Sequence, residues 1–285
     1  MKLKNWAIII MLIQTGYISS QNLVIDGSFE NYDPCPEKNK QQFPLKNWSR
    51  IHNSNSTDYF NIKYNGCFND RFYYPGQYKN DPYTEAQTGS AFIGGYPICL
   101  NLKGNFVLGA MEPASGELRD TLQKDSIYTV SLAINLPVTS THNVKSFSVV
   151  FMPDTLKNSR PWEPFFFIKL WHQLREKPIG IAEFDITSTI YNRSEWKTYT
   201  TEYKATGNEK YILVGFYPRF TEAQVKYYDE LIEKGMKNKD YKKFYKELSK
   251  CYTLYKIPAD APEGDFQDAY FYIDDVSVEL KKQKK

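Results

Sequence analysis

Long apolar runs are nearly missing from this chain: the clearest, Trp6 to Ile13, is far shorter than the ~20 residues a membrane span needs. No transmembrane segment is therefore expected once the N-terminal segment is removed. An excess of charge is missing too, since 36 basic residues face 33 acidic ones. A nucleic-acid partner would show as a strong basic excess, so none is expected. Only the tail Lys281, Lys282, Lys284 and Lys285 is basic, and it reads as a solvated terminus. Histidine is scarce: His52, His142 and His172 show no i, i+4 pairing and no neighbouring acid pattern, which argues against zinc or general-base chemistry. The chain has no G-x-S-x-G elbow, glycine-rich phosphate loop or H-E-x-x-H helix, so the common hydrolase and nucleotide signatures are absent.

What is present starts with an export signal. Lys2 and Lys4 precede the apolar stretch, and Gly16, Ser19 and Ser20 precede Gln21, the order of a secretory signal peptide. Cleavage close to Ser20 is expected. No cysteine lies near that cut, which argues against a lipid anchor. The protein is expected in the periplasm, on the outer-membrane surface or outside the cell. Cys35, Cys67, Cys99 and Cys251 lack the paired C-x-x-C blocks of a zinc site, and an even number in an exported chain favours disulfides with three possible connectivities.

Strands are expected at Ser90–Tyr96, Tyr128–Leu136, Val144–Phe151, Ile179–Ile186, Trp196–Lys204, Lys210–Tyr217 and Ala269–Leu280, from apolar alternation bounded by turn residues. Asn22 to Glu30 reads as extended and broken at Asp26-Gly27. Asn31 to Lys63 reads as a long loop anchored by Trp48. Pro153 to Pro178 packs Trp162, Phe165, Phe166, Phe167 and Trp171 with no clean period. It reads as a loop over the sheet or a recognition surface. From Thr221 to Cys251 the apolar spacing turns helical, with Val225, Tyr228, Leu231 and Ile232 on one face and Tyr241, Phe244, Tyr245 and Leu248 on another, predicting a helical hairpin. In the last strand Tyr270, Tyr272, Asp274, Val276 and Val278 should share one face, and Phe271, Ile273, Asp275 and Ser277 the other. An acid then falls on whichever face is buried, and a buried carboxylate must be paired, protonated or metal-bound. The fold class expected is mostly β: an antiparallel sandwich spanning 21–280, with the helical insertion at about 221–251 before the last strand, a signal peptide at 1–20 and a basic tail at 281–285.

Asn22-Leu23-Val24 with Gly27-Ser28-Phe29-Glu30, and Tyr272-Ile273-Asp274-Asp275-Val276-Ser277-Val278 at the other end, together resemble the galactose-binding-like jelly rolls, the fold of many carbohydrate-binding modules. Cys35-Pro36, Trp48, Asp58-Tyr59-Phe60-Asn61, Cys67, Gly89 to Gly94, and Trp196 through Ala205, Gly207 and Glu209 to Gly215 resemble a subgroup of secreted and cell-surface Bacteroidetes proteins. Members of that subgroup often lie beside OmpA-like domains. The helical hairpin, the aromatic 153–178 segment and the lack of an OmpA-like domain depart from the pattern. The resemblance implies that the first and last strands are neighbours. It also implies a structural calcium ion between them, with Glu30 and Asp274 supplying carboxylate oxygens and main-chain carbonyls completing the six to eight ligands calcium takes. It further favours pairing Cys35 with Cys67, which would close a loop of about 30 residues worth roughly 3 to 4 kcal/mol. Cys99 would then pair with Cys251 and staple the insertion to the sheet.

A sugar-binding sandwich needs an aromatic platform, because the apolar face of a pyranose stacks on a ring while polar side chains bond its hydroxyls. The candidates are Arg71, Tyr73, Tyr74, Tyr78, Trp162 and Trp171, in loops with polar neighbours. Three functions are open at this point. The first is an exported, non-catalytic module that recognises a glycan or cell-envelope polymer. The second is a cell-surface or secretion-associated module that docks a protein partner through the helical insertion. The third is a glycan hydrolase, which needs only two carboxylates facing one cleft.

Overall fold

The computed structural model of the chain describes residues 21–33, 44–50, 57–63, 72–73, 84–101, 112–137, 140, 142–155, 180–187, 195–215, 222–234, 239, 254–256 and 266–281. Five strands, β1 (Trp48–Arg50), β2 (Asp58–Asn61), β3 (Phe72–Tyr73), β4 (Ala91–Asn101) and β5 (Ala114–Glu117), precede β6 (Ile127–Asn135), β7 (His142–Val144) and β8 (Ser146–Met152). They are followed by β9 (Gly180–Asp185), β10 (Lys197–Lys204), β11 (Tyr211–Gly215), the helix α1 (Glu222–Glu233), β12 (Leu254–Lys256) and β13 (Phe266–Leu280). One sheet runs β1-β5-β11-β8-β9, the other β10-β6-β13-β4-β2-β3, with a small β12-β7 ribbon beside them. Pairing is antiparallel throughout these sheets except between β2 and β3. The architecture is a mostly β sandwich.

Alternation dictates which side chains fill the interior. In β6, Tyr128, Val130, Leu132 and Ile134 face inward while Thr129 and Ser131 stay half-buried. They meet Phe147, Val149 and Phe151 of β8 and Ile212 and Val214 of β11. Phe147 lies edge-on to Phe271 of β13 at 6.0 Å, and Phe151 stacks on Tyr203 of β10 at 4.1 Å. Burying each such ring contributes about 1.5–3 kcal/mol.

The first described segment lies along the last strand. Leu23 N–H donates to the Val278 carbonyl at 2.9 Å, and Val276 N–H to the Gly27 carbonyl at 2.9 Å. The Asn22 side chain completes this pairing, accepting from Val278 N–H at 3.0 Å and donating to the Val276 carbonyl at 3.0 Å. Gly27 is required there, since a Cβ would sit 2.0 Å from the Val276 oxygen.

Two sequence expectations need correction. The interval Asn31 to Lys63 is not one loop, because β1 and β2 lie within it. Trp48 anchors β1: it is buried at 3% exposure, packs on Phe29 at 4.9 Å and donates its indole N–H to the Asp26 carbonyl at 2.8 Å. In β2 all four residues are buried, so no alternation marks the strand. The faces assigned along β13 hold only as far as Asp274. A register shift follows between Asp274 and Ser277, with Asp275 at φ 50°, the signature of a bulge. Val276 and Val278 therefore join Phe271 and Ile273 in the interior, and Ser277 moves to the other face. The expected helical hairpin is described only at α1, where the half-buried Tyr227 packs against the core. Its second half, to Cys251, and residues 156–178 lie outside the described residues.

Candidate functional site

The six-stranded sheet has a second face, turned away from the sandwich interior, and its register places unusual side chains in rows. Tyr272 lies opposite Asn135 on one side and Gly94 on the other, and Gly94 lies opposite Asp58. Lys197 lies opposite Ile134, which brings Trp196, the residue before it, level with Asn135. The neighbouring row runs from Thr198 through Ala133 to Asp274 and, one residue on from the Ile273–Ile93 pair, to Phe92, which pairs with Phe60.

Phe60, Phe92, Tyr96, Tyr270 and Tyr272 form a cluster separate from the main core, with Trp196 and Ala86 packed against it. Phe60 stacks on Phe92 at 4.9 Å, and Tyr272 meets both rings edge-on at 5.1 and 4.9 Å. Trp196, half-buried, presents its ring edge-on to Phe92 at 5.6 Å and donates its indole N–H to the Glu85 carbonyl at 2.7 Å. The Tyr270 hydroxyl donates to the Asp58 carboxylate at 2.7 Å, where both residues are buried. Gly94 leaves the space these rings need, since a Cβ there would meet the Tyr270 hydroxyl at 2.3 Å and Phe60 at 2.8 Å. Asn135 is fully buried, and neither its amide oxygen nor its amide nitrogen has a hydrogen-bond partner.

Further along the same face the aromatic rows give way to hydroxyls and acids. Thr200 lies opposite Ser131, and Ser131 opposite Ser277; Glu202 lies opposite Thr129, and Thr129 opposite Glu279. Thr198, Thr200 and Glu202 are exposed, and Thr129, Ser131, Ser277 and Glu279 half-buried. One face thus carries a buried aromatic half and an open hydroxyl half, with Trp196 at their border.

Glu30 and Asp274 come together on a single turn. Glu30 accepts hydrogen bonds from Ser90 N–H at 2.6 Å, Ala91 N–H at 2.9 Å and the Ser90 hydroxyl at 2.6 Å. Asp274 accepts from Gln87 N–H at 2.9 Å, Thr88 N–H at 3.2 Å and Asp275 N–H at 2.7 Å. Asp275 accepts from the Thr88 hydroxyl at 2.5 Å. Between them lies Gly89 at φ +65°, where a Cβ would fall 2.4 Å from Glu30 Oε1, so this left-handed, crowded position belongs to glycine. Burial pushes the Asp274 carboxyl up to about 8, and the neighbouring Asp275 adds to the rise, against the three N–H donors. Among the described residues no three histidine, cysteine or acidic side chains converge to hold a metal.

Of the loop residues expected to bind, Tyr73 has a described backbone. It lies in β3, at the edge of this same sheet, opposite Phe60. Arg71, Tyr74, Tyr78, Trp162 and Trp171 lie outside the described residues, as do Cys35, Cys67 and Cys251, while Cys99 sits in β4 opposite Asp268.

No family model matches the chain, and no curated protein matches it. Among solved structures it is similar to the CBM22-1–GH10 modules of the Clostridium thermocellum endo-1,4-beta-D-xylanase 10B complexed with xylohexaose. The identity there is 10% and the TM-score 0.35, over 94% of this chain and 30% of that one. It is also similar to a structure described as "CBM4 structure and function", at 10% identity and TM-score 0.30, over 90% of this chain and 99% of that one. The chain thus spans under a third of the length of the first of these.

Sequence reasoning missed Asn135, Asp58, Phe92 and Trp196 as a group. The alternation that puts Val130, Leu132 and Ile134 inward also puts Asn135 outward, so a polar residue at the apolar end of β6 was a signal. Its burial depended on a second packed layer that strand periodicity does not announce.

Proposed function

We propose that this protein is an exported, non-catalytic binding module that takes a glycan or cell-envelope polymer on the outer face of its six-stranded sheet, within a jelly-roll winding. The observation that supports this most is the border at Trp196, where a half-buried indole adjoins the exposed Thr198, Thr200 and Glu202. A pyranose ring stacks on such an indole while hydroxyl and carboxylate side chains beside it bond the sugar hydroxyls. Tyr73 lies in β3 at the edge of the same sheet and would extend the platform laterally; Arg71, Tyr74 and Tyr78 are proposed as further ligand contacts. Trp162 and Trp171 are proposed as further ring contacts.

The non-catalytic reading is supported by the open end of this face, where Glu202 is paired with Lys281 and Glu279 accepts the Ser277 hydroxyl, so both acids are already engaged by neighbouring side chains. The decisive experiment is affinity electrophoresis in gels carrying soluble polysaccharides. Migration of the intact protein is slowed in at least one gel, and Trp196→Ala restores free migration while its circular dichroism stays native. Unretarded wild-type protein in every gel refutes the reading, and release of reducing sugar refutes its non-catalytic part.

Calcium at the Glu30–Asp274 turn is proposed alongside. Asp274 is buried next to Asp275, an arrangement a divalent cation would relieve, but Glu30 and Asp274 accept three hydrogen bonds each. Main-chain carbonyls must therefore supply most of the shell. Millimolar calcium is expected to raise the Tm and a chelator to reverse it, and an unchanged Tm removes calcium from the reading. Disulfides Cys35–Cys67 and Cys99–Cys251 are proposed to close the structure, and non-reducing peptide mapping tests them.

A further inference from the structure

We propose that Asp274 is a positioning residue for glycan binding: through the 85–88 segment it holds the Trp196 indole where a sugar stacks. This rests on the glycan reading above and adds what keeps its ring in place. Strand order puts Trp196, just before β10, three strands from Phe92 of β4, about 14 Å at the usual spacing. Their ring centroids are nevertheless 5.6 Å apart, so the two side chains lean towards each other over β6 and β13. An indole reaching that far from its own main chain needs a tether, because a side chain left free must be ordered when ligand arrives. The tether is the Glu85 carbonyl, which accepts the indole N–H at 2.7 Å.

That carbonyl is not fixed by a sheet. Residues 84–88 belong to no strand or helix, and Glu85, Gln87 and Thr88 are exposed. Ala86 rests on the aromatic cluster. Two residues beyond Glu85 the segment is fastened to Asp274, whose Oδ2 accepts from Gln87 N–H at 2.9 Å and Thr88 N–H at 3.2 Å. The Thr88 hydroxyl adds a bond to Asp275 at 2.5 Å, and Asp275 N–H donates to Asp274 Oδ1 at 2.7 Å. A continuous path therefore runs from Asp274 through Gln87 and Glu85 to the indole. Asp274 is fully buried in the row that holds Ala133 and leads to Phe92, where an apolar side chain would be easier to bury. A carboxyl there is costly unless it is bonded, and its bonds go to the segment that carries the tether.

The test uses the full chain, treated with chelator, in gels of hydroxyethylcellulose, xylan, galactomannan and laminarin. Alongside, hydrogen exchange of the indole N–H groups is followed by NMR, the Trp196 signal being assigned by its loss in Trp196→Phe. Asp274→Ala should weaken retention about twofold to tenfold and speed exchange of the Trp196 indole N–H by about tenfold. The Trp48 indole N–H, bonded to the Asp26 carbonyl, should keep its rate. Thr88→Val, at an exposed position, should move retention and exchange the same way by less, and it alone decides if Asp274→Ala fails to fold. Asp274→Asn keeps an oxygen for the two N–H groups and should stay near wild type. In the Trp196→Phe background Asp274→Ala should change retention no further. An unchanged Trp196 exchange rate in the folded variants, or an equal loss of retention with and without the indole, overturns the proposal and leaves the glycan reading standing. Free migration of wild-type protein in all four gels overturns both.

Discussion

The two faces of β13 show how one strand serves two ends. Its inward residues Phe271, Ile273, Val276 and Val278 are apolar and lie in the main core. Its outward residues Tyr270, Tyr272 and Asp274 are just as buried yet carry polar groups, the Tyr270 hydroxyl tied to Asp58 and the Asp274 carboxylate to the turn at 87–88. The inner face needs volume and little else, whereas the outer face needs particular partners. That difference teaches which substitutions should change stability alone and which should also change recognition.

The inner face should give the largest effect. Phe271→Ala removes a ring packed against Phe147, and chemical denaturation should show a loss of about 3–5 kcal/mol with no change in glycan affinity per folded molecule. Next comes Asp274. Its carboxyl is raised to about 8 by burial and then by Asp275, above the ordinary ~3.9 it has when unfolded. Its contribution is therefore full at acid pH and is lost as pH rises towards that value. Stability should fall by roughly 3 kcal/mol between about pH 5 and about pH 8 in chelator-treated protein, and Asp274→Asn should flatten the profile. A profile that does not slope in the wild type contradicts this assignment.

Tyr270→Phe should cost less, about 1–3 kcal/mol, by taking the hydroxyl from buried Asp58. A double-mutant cycle with Asp58→Asn should show that the two losses are not additive. The smallest change in stability belongs to Trp196→Ala, about 1 kcal/mol at a half-buried position, coupled to the largest change in polysaccharide retention. If inner-face variants alter retention as strongly as Trp196→Ala, the contrast between the faces fails.

Which parts were legible in the sequence follows from the same contrast. Strands with one wet face, such as β6 and β10, show period-2 alternation, and their limits differ from the expectation by a residue or so. β2 is buried on both faces and β1 is three residues long, so neither leaves a pattern. The bulge at Asp275 was invisible because it inverts the alternation without changing composition. Asp26 and Phe29 likewise sit at positive φ with no glycine to announce it. The pairing of Asp274 and Glu30 with one turn could be anticipated in place, from the resemblance of the chain ends, but not in chemistry: apart from Asp275 N–H, their hydrogen-bond donors come from 87–91, a segment with no marker beyond Gly89. Another buried carboxylate, Glu209, was missed as well. Burial opposes its ionisation, but the Tyr203 hydroxyl, Thr206 and neighbouring main-chain N–H groups hold it below the ordinary value.

The position of β13 between β4 and β6 bears on how the molecule is made. The strand that joins the two halves of the larger sheet follows every other described strand in chain order, so β4 and β6 are synthesised before the hydrogen-bonding partner that unites them. The larger sheet closes only when that strand pairs with both.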